Sequence, residues 1–121
     1  MGKTIAVDFD GVLHAYSKKW SDGSIYDEPV AGSAAAMQAF LNKGHEVVIY
    51  STRCTDRIVR GIENPNQIDE MADWLKVNGI PYTRIHSEAG KPFCALFIDD
   101  NAYRFEGNWT KCLDDIERMG F

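Results

Sequence analysis

The chain has 121 residues, enough for one domain with a single core and too few for two. Hydrophobic residues make up 45% and charged residues 26%, an ordinary balance for a soluble globular protein. The net charge of -5 argues against a broad nucleic-acid or membrane-binding surface but leaves room for a local basic patch.

Cys54, Cys94 and Cys112 are odd in number and lack metal-type spacing, which fits a reducing cytosol better than a disulfide framework. No apolar run is long enough to span a membrane, and no signal peptide opens the chain. A cytoplasmic protein with no membrane partner is therefore expected.

In chain order, Lys3 to Val7 reads as an apolar strand that ends in Asp8-Phe9-Asp10-Gly11. Alternate residues point the same way, so Asp8 and Asp10 share one small space above the sheet edge. Like charges held that close make each other harder to ionise. Such a pair is kept mainly where a cation sits between the two, or where chemistry needs one ionised and one protonated.

Residues 14 to 30 form a polar, aromatic-rich connection, long for a compact domain and of the kind that serves as a lid. Ser33 is expected to cap a helix from about Ala34 to Asn42, with Ala36, Met37, Phe40 and Leu41 on its apolar face. His45 to Tyr50 reads as a second strand, ending at Ser51-Thr52-Arg53. A polar loop then runs to Asn64 and Pro65, which are expected to cap and open a helix through about Val77. Pro81 to Ile85 reads as a short third strand. Ala95 to Ile98 reads as a fourth, again ending in acid at Asp99-Asp100-Asn101. A last helix from about Trp109 to Arg118 is capped by Asn108 and stopped by Gly120.

Strands alternating with helices imply parallel strands joined by right-handed crossovers, hence a single doubly wound, Rossmann-like α/β domain. In such sheets ligands sit beyond the carboxyl ends of the strands. Asp8 and Asp10, Ser51 to Arg53, and Asp99 to Asn101 should therefore gather at one edge. Lys91 needs only a loop to reach the same place.

Hard oxygen ligands of this kind suit Mg²⁺, which bridges carboxylates and phosphates. An aspartate can attack phosphorus to form an aspartyl-phosphate, and a neighbour two residues on can protonate the leaving oxygen and then deprotonate water. A hydroxyl and an ammonium would hold the phosphoryl oxygens.

Asp8-Phe9-Asp10-Gly11-Val12-Leu13, Ser51, Lys91 and Asp99-Asp100, in that order, resemble the four motifs of the haloacid dehalogenase superfamily. The resemblance spans nearly the whole chain and implies a Mg²⁺-dependent phosphatase. It makes Asp8 the nucleophile, Asp10 the acid/base, Ser51 a phosphoryl-binding group and Lys91 its stabiliser. The metal would be held by the Asp8 carboxylate, the Asp10 backbone carbonyl and Asp100, with Asp99 in support.

Ser51 and Thr52 both offer hydroxyls, and strand alternation does not choose between them. Gly11, Thr52 and Arg53 are the expected substrate contacts, with Arg53 divided between that role and a salt bridge. Neither inter-motif gap holds a full cap domain, so this looks like a capless member. Its site would be open unless residues 14 to 30, or a second subunit of a homo-oligomer, cover it.

The expected substrate is phosphorylated, either a small molecule or a nucleic-acid end, with nucleotide or polynucleotide phosphate leading. Lys18, Lys19, Trp20, Arg53, Arg57 and Arg60 can supply phosphate contacts and a stacking surface for a base. Two other classes compete. A phospho-aspartate receiver domain would place an acid at the end of the second strand, where Ser51-Thr52 stands. A non-catalytic binding protein would have no need to keep Asp10.

Overall fold

In a computed structural model that describes residues 2–121, the apolar run Thr4–Val7 is strand β1, at the middle of a parallel sheet. After the flap of residues 14–30 come helix α1 (Ser33–Asn42) and strand β2 (Glu46–Ile49). A 3-10 turn over Thr52–Cys54 leads into a small hairpin of β3 (Arg57–Val59) and β4 (Ile62–Asn64). Helix α2 (Ile68–Val77), strands β5 (Arg84–Ile85) and β6 (Leu96–Ile98), and helix α3 (Trp109–Arg118) complete the chain.

The sheet order is β5-β2-β1-β6, parallel throughout, as expected for a Rossmann-like α/β domain. The chain steps outward from β1 to β2 to β5, then returns to the other side of β1 for β6. The order reverses at β1, so a crevice opens beyond its carboxyl end. Register brings the three strand ends level, because Val7 pairs with both Ile49 and Ile98. The next rungs hold the exit: Asp8 N–H donates to Ile98 O (2.9 Å) and Tyr50 N–H to Val7 O (3.0 Å).

Burial on both faces explains why β1 and β2 lack polar alternation, whereas the edge strand β6 leaves Leu96 and Phe97 exposed. Ile5, Val7, Val47 and Ile49 meet Met37 of α1 and Met71 and Leu75 of α2 in one core. Ala6 and Val48 point to the opposite face and are just as buried. Phe9 is fully buried and meets Trp74 edge-on at 5.2 Å. Each such side chain contributes roughly 1.5–3 kcal/mol on burial, which anchors the chain on either side of Asp8.

Three local expectations are corrected. The polar loop after Arg53 contains the hairpin, and Asn64 lies in β4, paired with Arg57, instead of capping a helix. Helix α2 starts at Ile68 with Gln67 at its cap, because Gln67 N–H is drawn to Arg53 O (2.7 Å) and Asn66 N–H to Asp56 Oδ1 (2.8 Å). Ser33 does not cap α1: Gly32 holds that position with φ 86°, and Ser33 is the first helical residue. Asn108 does cap α3, its side chain accepting from Lys111 N–H at 3.0 Å. No helix among the described residues is long and apolar enough to cross a membrane.

Candidate active site

Because β1 and β6 end side by side, Asp8, Asp99 and Asp100 come together. One carboxylate oxygen from each lies within 4.8 Å of the others. They line a cavity of about 510 Å³ with Asp10, Ser51 and Thr52, under Tyr16 and Lys19 of the flap. The approach depends on Gly11. Its φ of 82° is left-handed, and a Cβ there would stand 2.2 Å from Asp100 Oδ2.

Burial pushes the Asp8 carboxyl up to about 7, with Asp99, Asp100 and Asp10 adding repulsion. The Phe9 N–H, 2.8 Å from Asp8 Oδ1, works in the opposite direction and fixes the carboxylate's rotation. A hard divalent cation fits this donor set. Three carboxylates converge, they raise the Asp8 carboxyl together with its burial, and all the donors are oxygen.

Asp10 is held differently. Its Oδ2 accepts from Arg53 Nε and its Oδ1 lies 2.8 Å from His14 Nδ1. Asp27 N–H donates to His14 Nε2 at 3.0 Å, so that nitrogen is an acceptor and the proton sits on Nδ1, pointing at Asp10. His14 is fully buried against Phe9, Tyr26 and Trp74. It therefore ties the flap to the acid pair.

Arg53, divided by its sequence position between substrate contact and salt bridge, takes the salt bridge, to Asp10. It is 1% exposed. Beyond Asp10, its Nη1 donates to Gly23 O (2.6 Å) and to Gln67 Oε1 (3.0 Å). Tyr16 and Trp20 rings flank the guanidinium at 6.0 and 5.9 Å. One side chain thus joins the end of β1, the flap and the start of α2. Gln67 reinforces the joint, its Nε2 donating to Gly23 O at 2.6 Å.

Ser51 is buried, and its Oγ accepts from Arg53 N–H (3.2 Å), which leaves the hydroxyl proton free for the cavity. Thr52 also lines the cavity but is exposed, and its Oγ1 accepts from Arg57 Nη1 at 3.2 Å. Lys91 is not brought in. Its ammonium lies 5.7 Å from the centre of the Phe97 ring, outside the cavity lining. The loop before β6 is curled on itself by His86 Nε2, which donates to Gly90 O at 2.8 Å.

The cation in the lining is Lys19 instead. Sequence reading placed Lys19 in a basic run but not over the acids, and it passed over Tyr16 and Gln67. None of these three carries a local signal, since each acts across long stretches of chain.

Comparison with known proteins bears on the fold alone. No family model matches the chain, and no curated protein does. A solved structure, described as that of the conserved protein coded by a locus from Bacteroides thetaiotaomicron, is similar over 100% of this chain and 94% of that one. The identity is 19% and the TM-score 0.59, a likeness of fold.

Proposed function

We propose that the protein is a Mg²⁺-dependent phosphomonoester hydrolase of the haloacid dehalogenase type, acting through an aspartyl-phosphate on Asp8, with nucleotide or polynucleotide phosphate as its substrate class. The observation that carries this is the meeting of Asp8, Asp99 and Asp100 within 4.8 Å, in one cavity with Asp10 and Ser51. Asp8, Asp99 and Asp100 would hold the cation, together with the Asp10 carbonyl that the resemblance adds. When bound, the cation supplies the positive charge that keeps Asp8 ionised at neutral pH and polarises the phosphoryl oxygens.

The chain's own groups divide the work. An Asp8 oxygen attacks phosphorus as the bond to the leaving oxygen breaks, and Asp10 gives that oxygen its proton. A water then loses a proton to Asp10 and attacks phosphorus, releasing phosphate and restoring Asp8. Arg53 and His14 point a donor at each Asp10 oxygen, which aims the group and holds the carboxylate left after the first transfer. Ser51 donates its free hydroxyl proton to a phosphoryl oxygen.

The test is phosphate release from p-nitrophenyl phosphate with and without Mg²⁺. Asp8→Asn is expected to lower kcat by at least ~10³-fold, since the attacking atom is gone. Asp10→Asn is expected to lose ~10²–10⁴-fold, the usual range for a general acid–base. Full activity of Asp8→Asn, or of the wild type in excess chelator, sinks the proposal.

A further inference from the structure

The cavity over Asp8 does not end at the flap. Lys19 lines it and also lines a wider groove of about 710 Å³, where Trp20 and Asp22 face Val59, Arg60 and Ile62 of the hairpin. Strand alternation builds that wall. Val59 pairs with Ile62 and Arg57 with Asn64, so these four share one face, while Ile58 and Glu63 take the other. The Arg57 guanidinium lies 5.3 Å from the Trp20 ring centre and donates to Thr52 Oγ1, linking hairpin, flap and acid site.

The groove is apolar along its wall and cationic at two places, and its one carboxylate, Asp22, is engaged by Ser24, whose N–H and Oγ donate to Asp22 Oδ1 at 2.9 and 2.6 Å. Lys19 stands where it opens into the acid site, and Arg60 stands in the hairpin turn with Gly61. The described non-glycine residues with positive φ are Tyr16 (54°), Lys19 (58°) and Arg60 (53°), and all three line one or both cavities. Asn or Gly would adopt these angles at lower cost, so stability is given up where these side chains face the two spaces.

We propose that the groove receives the leaving group of the substrate, and that this group is a nucleotide unit carrying a second phosphate. The transferable phosphate lies between Asp8 and Lys19, the base against Trp20, Val59 and Ile62, and the second phosphate at Arg60. A planar base buries the apolar wall, whereas a sugar would leave it wet. The two cations match two phosphates on a chain of net charge -5. The volume is in the range that holds a ligand of this size. The inference rests on the phosphatase reading for the position of the first phosphate, but binding in the groove needs no turnover.

The test is calorimetric titration of the Asp8→Asn protein in Mg²⁺ with adenosine 3′,5′-bisphosphate and, separately, with inorganic phosphate. Arg60→Asn, which suits the turn, should weaken the bisphosphate at least tenfold more than phosphate without lowering the thermal midpoint. Trp20→Ala and the exposed-strand variant Ile62→Asp should shift the same ratio in the same direction. An unchanged ratio in all three variants overturns the groove. Should the bisphosphate bind with this dependence while wild type releases no phosphate, the hydrolase reading fails and the groove stands. Turnover that ignores Trp20, Arg60 and Ile62 has the reverse meaning.

Discussion

The acid edge of the sheet and the basic rim made by flap and hairpin are built by opposite means. At the edge, the buried strands β1 and β2 and the register that pairs β6 with β1 fix where each chain exit lies, so carboxylates that repel one another are held together. At the rim, cationic and aromatic residues stand on irregular backbone and on a two-stranded ribbon with Ile58 and Ile62 in solvent. Such a ribbon is marginal alone. What holds the rim to the edge is chiefly Arg53, with bonds to Asp10, Gly23 and Gln67. A dense core can store electrostatic strain for chemistry, whereas loosely packed loops can vary what is recognised.

The comparison breaks most severely at that joint. Arg53→Ala should cost about 3–5 kcal/mol in urea denaturation, because it removes the partner of a half-buried carboxylate and frees three segments together. Arg53→Lys should recover little, since one ammonium cannot replace Nε and Nη1 donors aimed at separate partners. If Arg53→Ala is as stable as wild type, the flap is held by something else.

Gly11→Ala attacks the edge alone. The left-handed backbone should cost about 1–2 kcal/mol. The new methyl must also displace Asp100, so Mg²⁺ affinity by calorimetry should fall at least tenfold. Unchanged Mg²⁺ affinity would remove Asp100 from the metal set.

A smaller, pH-dependent effect separates the regions further. In metal-free protein the Asp8 carboxyl sits at about 7, above its ordinary 3.8. The folded state then binds that proton more tightly than the unfolded state. This contribution is fully present below pH 4 and is lost as pH rises through 7. Asp8→Asn should therefore gain on wild type between pH 4 and 8 in urea midpoints, and Mg²⁺ should close the gap at pH 8. A gap that does not change with pH would contradict the raised Asp8 carboxyl, which burial and, after it, the neighbouring acids produce.

The smallest effect lies on the hairpin's outer face. Ile58→Ser should stay within about 0.5 kcal/mol of wild type, as an exposed substitution does. It should also leave bisphosphate titrations unaltered. An effect as large as that of Ile62→Asp would mean that the two faces of the ribbon are not distinct.

The sequence alone was enough for the sheet and for the meeting of Asp8, Asp10, Ser51 and Asp99-Asp100. Those follow from short continuous apolar runs, helix signals such as Asn108, and the rule that parallel strands present their carboxyl ends together. The hairpin was hidden because its turn is Arg60-Gly61, without the Asn or Asp that usually marks one, and because its strands are short and half polar. Only the tertiary structure decided that Arg53 pairs with Asp10, that His14 donates to the same carboxylate, and that Lys19 lies over the acids while Lys91 lies against Phe97. Strand ends are set by local patterning and one topological rule, whereas a long side chain on a loop goes wherever distant segments leave it a partner.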